Sequence, residues 1–399
     1  MHILYVCHEY PPAVSGGIGT AVAVLARGMV RRGHRVTVLG LYRGGARVER
    51  DEGVCVRRVP LRRFHRSFHW LLTRWQLWVA LRALNAETPV DIIEWPDFGG
   101  WHLFDIPGAT NVLKVHGGHV SHRVHGLGPR LPVREFFELR MMRRMRNWIG
   151  VSHWFNEEWK SYSGTVPARE CVVYNPVNVD VFKPAAETPD SSLIFYSGGL
   201  RKRKGVEVLA RAAAVFLRDL PRTHLALATF EADLTKTEVL ALAGAEANRI
   251  EFLPFMSQGE LAKQLARASA FVMPSLYESC GNGWIEAMAC GVPVIGSRRS
   301  CGPEVVTDGE TGLLCNPESP ADVAEKVKAV LLDRDLAVRM GRAGRRAAVE
   351  RFSVEKAAAT SEEFYQLCLA DSPPPRNGGR PPELVRDSDS WSRRAVRAF

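Results

Sequence analysis

At 399 residues the chain exceeds what one ordinary hydrophobic core organises, so two domains are expected, and 46% hydrophobic with 24% charged residues marks a globular chain, not a disordered or fibrous one. No apolar run approaches the ~18 residues of a spanning helix, and the opening MHILYVCHEYPP lacks a basic region followed by an apolar block, so cytoplasmic residence is the expectation. The net charge of +10 lies wholly in residues 1 to 184, with 25 Lys and Arg against 15 Asp and Glu, while the remainder balances at 28 against 28. Such asymmetry points to an acidic partner for the first half, an anionic membrane or phosphorylated lipid, or else to a merely solubilising charge; nucleic acid is disfavoured because no reading motif accompanies the arginines.

In chain order, His2 to Cys7 reads as a short apolar strand, followed by the glycine-rich HEYPPAVSGGIGT and an apolar helix pattern from Ala21 to Met29. Strand, glycine turn and helix make a phosphate-binding opening in which Gly16, Gly17 and Gly19 let the backbone approach a diphosphate. The spacing departs from the dinucleotide fingerprint G-x-G-x-x-G, and no acidic ribose clamp ends a clean second strand, so a dehydrogenase is disfavoured. Arg35 to Gly40 and Val54 to Pro60 continue as strands, with RGGARVERDEG a loop between them. Leu61 to Leu84 interleaves Arg62, Arg63, Arg66 and Arg74 with Phe64, Phe68, Trp70, Trp75 and Trp78, the composition of an interfacial helix or of a helix that uses its aromatics as core. Arg134 to Trp148 is a second basic amphipathic stretch, with Phe137, Met141, Met145 and Trp148 at core spacing.

Asp91 to Trp95 is a strand leading into Pro96–Gly100, and Asn111 to Val115 is a strand that delivers His116 at its end. His116, His119, His122 and His125 recur every third residue, but Gly117, Gly118 and the lack of nearby carboxylates argue against a metal site. The eight cysteines are scattered without a C-x-x-C pair and read as reduced thiols. Trp148 to Ser152 and Cys171 to Tyr174 are further strands, and Ala185 to Ser192 has linker composition.

A second alternation of strand and helix then begins. Leu193 to Ser197 is a strand that runs into Gly198, Gly199, Leu200, Arg201, Lys202, Arg203, Lys204 and Gly205, with a helix from Val206: again a phosphate-binding arrangement, now with four cations. His224 to Phe230, Arg249 to Phe255, Ala270 to Ser275 and Val292 to Gly296 complete the strands of a second doubly wound sheet. Between the last two lies ESCGNGWIEAMACGVP, Glu278 to Pro293. Its glycines break one helix into a loop and a helix start, so unpaired amides stand beside two glutamates. Amides suit phosphates and glutamates suit hydroxyls, which together describe a nucleotide sugar. Ala321 to Leu332, Leu336 to Glu350 and Val354 to Leu369 are helices. The tail from Asp371 reads as disordered, with Arg393, Arg394 and Arg397 at its basic end.

Glu278, Ser279, Gly281, Asn282, Glu286, Ala287, Met288, Ala289, Gly291 and Pro293 resemble the E-x7-E signature of the family 4, GT-B fold glycosyltransferases. The P-P-x(n)-G-G-x-G loop, the strand-end His116, the Asn175–Pro184 hinge and the G-R-L-x-x-x-K-G element, with Lys204 at its lysine, resemble the family in the same order. One position departs: Gly199 stands where arginine is usual, leaving Arg201 or Lys202 as candidates for the second diphosphate contact. Cys301 to Gly312 resembles the loop that closes around the nucleotide.

The resemblance implies an α/β GT-B fold, two Rossmann-like doubly wound domains facing across a cleft. Residues 1–184 would bind acceptor, with helix 353–370 packing back on them, and 185–352 would bind the nucleotide-sugar donor; 371–399 form the tail. It implies a retaining hexosyltransferase that needs neither cofactor nor metal and moves a hexose to a hydroxyl of a glycan or lipid-linked saccharide, in surface polysaccharide or glycolipid synthesis, with possible peripheral contact with the inner face of the membrane. A soluble enzyme making a small glycoside, disaccharide or storage glucan, and a non-catalytic nucleotide-sugar binding protein, are the alternatives. By the same resemblance Lys204, Arg201 and the amides of Gly16 and Gly17 hold the diphosphate, Glu286 binds the ribose, Glu278 and the amides of Cys280, Gly281 and Asn282 place the sugar hydroxyls, and His116 orients the sugar.

Overall fold

The structure, a computed structural model, describes residues 1–13, 16–62, 68–186, 190–254 and 256–370. Two compact units emerge, one from residues 1–150, 156–173 and the chain from 358, the other from 151–155 and 174–357. The tail 371–399, and most of the linker's Glu, Thr and Pro at 187–189, lie outside the described residues.

The first unit is built on an eight-stranded sheet: β1 (His2–Val6), β2 (Arg35–Tyr42), β3 (Arg47–Asp51), β4 (Val54–Pro60), β5 (Ile92–Pro96), β6 (Thr110–Val115), β7 (Asn147–Gly150) and β8 (Arg169–Val172), ordered β3-β4-β2-β1-β5-β6-β7-β8. All neighbours run parallel except β3 and β4. β1 and β5, apolar but for His2 and Glu94, are buried along their whole length, as parallel strands covered by helices require. RGGARVERDEG is not all loop: Arg47–Asp51 pairs antiparallel with β4 at the sheet edge. An edge strand with little buried surface carries no apolar alternation, so its sequence reads as loop.

The covering helices include α1 (Gly17–Arg31), α2 (His69–Glu87), α3 (His119–Val124), α4 (Pro132–Arg144) and the greater part of α5 (His153–Ser163). In the arginine and aromatic segment, residues 63–67 lie outside the described residues, and α2 divides the rest between two faces. Arg74 is 4% exposed, donates to the carbonyls of Gly100 and Trp70 at 2.7 Å and to that of Gly99, and lies over the Phe137 ring at 4.4 Å. Burial lowers its pKa to about 10. This arginine therefore fixes the turn after β5 from inside, while Trp75, Trp78 and Phe104 touch one another on the other side. No helix among the described residues is long and apolar enough to cross a membrane.

The last helix, Val354–Ala370, belongs to the first unit from Ala358 onward. Tyr365 donates to the buried Glu94 of β5, and Glu362 pairs with Arg32 at 2.5 Å and His34 at 3.2 Å. The hinge Tyr174–Pro184, expected with the first domain, joins the second unit instead. Asn175 donates through its amide to Cys280 Sγ at 3.4 Å and through Nδ2 to Asn282 at 3.0 Å, and the Arg345 guanidinium takes the carbonyls of Val179 and Phe182 at 3.1 and 2.8 Å. Those bonds satisfy the hinge backbone within the second core, which decides its membership.

The second unit carries a parallel six-stranded sheet, β9 (Asp190–Ser197), β10 (His224–Ala228), β11 (Ile250–Leu253), β12 (Ala268–Val272), β13 (Val294–Ser297) and β14 (Gly312–Cys315), in the order β11-β10-β9-β12-β13-β14. Its helices are α6 (Val206–Asp219), α7 (Lys236–Ala243), α8 (Gln258–Leu265), α9 (Asn282–Ala289), α10 (Gly302–Val305), α11 (Pro320–Leu332) and α12 (Arg334–Phe352). Strand order reverses between β9 and β12, and in the first unit between β1 and β5. At such switch points the loops after adjacent strands diverge and leave a crevice. The loops at the four strand ends are those following Val6, Pro96, Ser197 and Val272.

Candidate active site

In the second unit the loop after β9 turns on glycine. Gly205 has φ +70°, and a Cβ there would stand 1.9 Å from the Pro274 carbonyl oxygen, so only glycine allows the loops after β9 and β12 to approach so closely. The Arg203 carbonyl seals the contact by accepting from the amides of Leu276 at 2.8 Å and Tyr277 at 3.3 Å. Lys204 thereby reaches Glu278: Nζ bonds Oε1, and Ser275 Oγ donates to the same oxygen at 3.0 Å. The two side chains are 17% and 7% exposed. Burial would push the Glu278 carboxyl up, but Lys204, Arg203 and the Ser275 hydroxyl together hold it below the ordinary carboxylate range. Burial lowers the Lys204 ammonium below its ordinary value, Glu278 pulls it back up and Arg203 lowers it further, and the pair sits at the switch point.

Gly281, in the left-handed region at φ +70°, separates the two glutamates; a Cβ there would lie 2.2 Å from the Trp284 ring. Trp284 is fully buried and donates Nε1–H to the Met273 carbonyl at 3.1 Å, which locks the start of α9 against the end of β12. Glu286 projects from the second turn of α9, half-buried, and its carboxylate makes no hydrogen bond among the described residues. Burial raises its pKa to about 7 against the pull of Lys204. Because the fold raises this pKa from 4.5, the protonated form favours folding; its contribution is complete below about pH 4.5 and lost as pH rises through 7. Glu286→Gln is therefore expected to flatten the pH dependence of urea unfolding over that window and to stabilise the protein at pH 8 by up to about 3 kcal/mol. Equal slopes for the two proteins would contradict it.

In the first unit His116 follows β6. Its amide and that of Gly117 each donate to Asp97, at 2.9 Å to Oδ1 and Oδ2. Burial pushes Asp97 up to about 6 against these amide bonds, and pushes His116 down to about 3 with Lys114 adding, so the imidazole is neutral. Its Nδ1 is buried without a hydrogen-bond partner among the described residues. Glu138 on α4 holds the next turn by accepting from the amides of Gly99, His119 and Val120 at 2.7, 3.0 and 3.1 Å. The other histidines diverge: His119 lies 3.3 Å from Arg134, and His125 lies 2.5 Å from Glu158. No group of three or more His, Cys, Asp or Glu able to hold a metal occurs among the described residues.

Two expectations change in detail. The Gly16 amide is taken: it donates to Glu9 Oε2 at 2.9 Å, and Gly19 donates to Oε1 at 3.1 Å, while Gly17 begins α1 exposed. A carboxylate from the same chain caps this helix, because α1 has no side-chain cap of its own. Glu304, within the segment that resembles the nucleotide-closing loop, is equally committed, accepting from the amides of His153 and Trp154 at 2.7 and 3.1 Å and from the Tyr174 hydroxyl at 2.7 Å. It braces the hinge.

Lys204, Arg201, Glu278, Cys280, Gly281, Asn282 and Glu286 thus share the carboxyl edge of the second sheet, and His116, Gly16 and Gly17 belong to that of the first. Sequence reasoning left out Arg203, whose charge acts on both Glu278 and Lys204, and the positioning carboxylates Asp97, Glu138 and Glu9. Arg203 was legible as one of four consecutive cations; the carboxylates left no signal, because what they hold is backbone brought near only by folding.

The family model described as Glycosyltransferase Family 4 matches residues 15–181, and that described as Glycosyl transferases group 1 matches 180–347. The chain is 28% identical over 400 residues to an alpha-maltose-1-phosphate synthase of Mycolicibacterium smegmatis, covering 93% of this chain and all of the other. Sucrose-phosphate synthase from Thermosynechococcus elongatus superposes with a TM-score of 0.78 at 23% identity, over 93% of this chain and 100% of that one. Anabaena HepE in complex with UDP and glucose does so at 0.69 and 16%, over 92% and 100%. Two family models in tandem across both units, the doubly wound sheets and the switch-point residues converge: the chain belongs to the family 4 glycosyltransferases of GT-B fold and is an enzyme of that transferase class.

Proposed function

We propose that this glycosyltransferase moves a hexose, with retention of anomeric configuration, from a nucleotide-diphosphate sugar to a hydroxyl of a glycan or lipid-linked saccharide. The observation that carries the donor half is the Lys204–Glu278 pair at the switch point, with Glu286 beside it making no hydrogen bond among the described residues. When the bond from anomeric carbon to phosphate oxygen breaks, its electron pair leaves with the diphosphate and the sugar becomes oxocarbenium-like. Lys204, Arg203 and Arg201 supply positive charge where that negative charge develops, so no step requires a metal ion. The acceptor oxygen bonds the same face of the carbon, and its proton passes to the departing phosphate. Glu286 accepts from the ribose hydroxyls, Glu278 and the amides of Gly281 and Asn282 place the sugar, and neutral His116 orients it. The structure of HepE with UDP and glucose supports the donor class.

For the acceptor, the charge excess of residues 1 to 184 and the exposed Phe68, Trp75 and Phe104 support peripheral contact with an anionic membrane and a lipid-linked or surface glycan. A second reading is a small phosphorylated saccharide, favoured by the names of two similar proteins, a maltose-1-phosphate synthase and a sucrose-phosphate synthase. The basic first half suits that acceptor too.

A thermal-shift screen of UDP, GDP and ADP and their sugars tests the donor. A ligand at a hundred times its Kd stabilises the folded form by about 2.7 kcal/mol, a shift of several degrees, and no shift with any of them would sink the reading. Co-sedimentation with phosphatidylglycerol vesicles separates the acceptors: retention in the supernatant at low salt removes the membrane version.

A further inference from the structure

The first unit holds a cation that its own helix leaves without a counterion. Arg134 lies exposed in the first turn of α4, and the carboxylate four residues on, Glu138, would be its ordinary partner. Glu138 is already taken by the amides of Gly99, His119 and Val120. Glycine permits that seat, because a Cβ at Gly118 would stand 2.5 Å from Glu138 Oε2. The neighbouring Glu135 is taken as well, by Arg123 at 2.8 Å and by the Leu131 amide at 2.8 Å. Arg134 therefore has no carboxylate partner among the described residues, and its charge also acts on the buried Arg74.

The group Arg134 does reach is His119, whose Nε2 lies 3.3 Å from the guanidinium. An arginine only donates, so Nε2 accepts and the neutral imidazole carries its proton on Nδ1. Burial first, and Arg134 second, push the His119 pKa down to about 4, so the ring is neutral near pH 7. Its Nδ1–H has no acceptor among the described residues. The half-buried ring lies against Phe98, with centroids 4.4 Å apart and planes tilted by 38°. Phe98 is 37% exposed, and its amide donates to Asp97 Oδ1 at 2.9 Å, which fixes its backbone.

Three separate elements supply these side chains. Phe98 follows β5, His119 opens α3 after β6, and Arg134 opens α4, so Phe98 and His119 stand at the carboxyl edge of the first sheet. Ligands of doubly wound sheets collect at that edge. Core packing accounts for none of the three, since one is an exposed aromatic, one an N–H without an acceptor and one a guanidinium without a counterion. Together they offer a flat apolar face, a hydrogen-bond donor and a planar cation. The C–H side of a sugar ring suits the first, a hydroxyl oxygen the second, and a phosphate or carboxylate the third, which can fork two oxygens.

We propose that Phe98, His119 and Arg134 form a subsite that selects the acceptor, and that the acceptor is an anionic saccharide whose phosphate or carboxylate pairs with Arg134. The inference rests on the transferase reading above and narrows it, because a neutral glycan end would leave the Arg134 charge unanswered. Arg134 is the specificity-determining residue, Phe98 the platform for the ring, and His119 the link that orients both.

Calorimetric titration of the full chain with glucose, glucose 1-phosphate, glucose 6-phosphate, glucuronate and inorganic phosphate tests it. At least one of the charged sugars should bind the wild type about tenfold or more tighter than glucose and than inorganic phosphate. Arg134→Gln should remove that preference, and Arg134→Lys should keep part of it. Phe98→Ala should weaken charged and neutral sugars alike, by about threefold. Arg146 is exposed just before β7, at the opposite edge of the same sheet, so Arg146→Gln removes an equal charge and should stay within about twofold of wild type. Tightest binding by a sugar phosphate, or by glucuronate, supports the subsite and tells a phosphorylated acceptor from an acidic glycan. A wild type that prefers none of the charged sugars, or equal losses in Arg134→Gln and Arg146→Gln, would overturn it. Nucleotide-diphosphate affinity should stay within about twofold in every variant. A wild type that binds charged sugars with this preference but no nucleotide would sink the donor reading and leave the subsite standing.

Discussion

Replacing Lys204 by alanine is expected to lower kcat by about a thousandfold, the scale on which removal of one preorganised charge-stabilising group acts. The reason is geometric. The ammonium is held by a carboxylate that Ser275 also grips, at the strand reversal where the leaving group would sit, so it needs no reorganisation as charge develops. The loss should appear in kcat more than in KM, because the charge it answers exists chiefly in the transition state. Stability should fall too, by about 3 kcal/mol, since Glu278 would be left buried with its nearest cation gone. Lys204→Arg keeps the charge but not the point geometry and should fall between the two. Steady-state kinetics beside urea unfolding reads both effects, and wild-type turnover from a folded Lys204→Ala protein would remove the charge-stabilisation scheme.

Gly205→Ala is the second large effect, and it works through the backbone. At φ +70° an added Cβ is strained before it meets anything, and here it meets the Pro274 carbonyl at 1.9 Å. Strain and overpacking together are expected to cost about 4 kcal/mol, a drop in melting temperature on the order of 10 °C for a unit of this size. Displacing that turn also moves Lys204, its chain neighbour, away from Glu278, so turnover should fall even where the protein remains folded. A control at Gly259, where a Cβ would meet nothing within 4 Å, should leave both quantities nearly unchanged. If the Gly205 and Gly259 variants melted alike, the close approach of the two loops would be wrong.

Much of this was legible before folding. The predominantly apolar runs within β1, β5, β9 and β12 announce parallel sheets, because burial on both faces accounts for runs such as ILYV and LIFY. The break between Glu278 and Glu286 was legible for the same local reason: Gly281 forces a left-handed turn that ends one element and starts another. Edge strand β3 was not, as its residues face solvent and carry no apolar alternation. The segment around Arg74 read equally as an interfacial helix or as one with its aromatics in the core, and Arg74 is a buried brace, because composition cannot tell which side of a helix an arginine occupies when three carbonyls wait on the inner side.

The sequence by itself determined two doubly wound units and the chemistry available at their edges, since backbone periodicity, glycine placement and charge type act over a few residues and need no distant partner. Only the tertiary structure decided which of those groups remain available. Glu9 and Glu304 spend their carboxylates on amides seven to ten and about 150 residues away, the hinge goes to the second core, and Phe230, about 30 positions along the chain, fills the room beside Gly199. Hydrogen-bond satisfaction and close packing are properties of neighbours in space, and chain order does not name those neighbours.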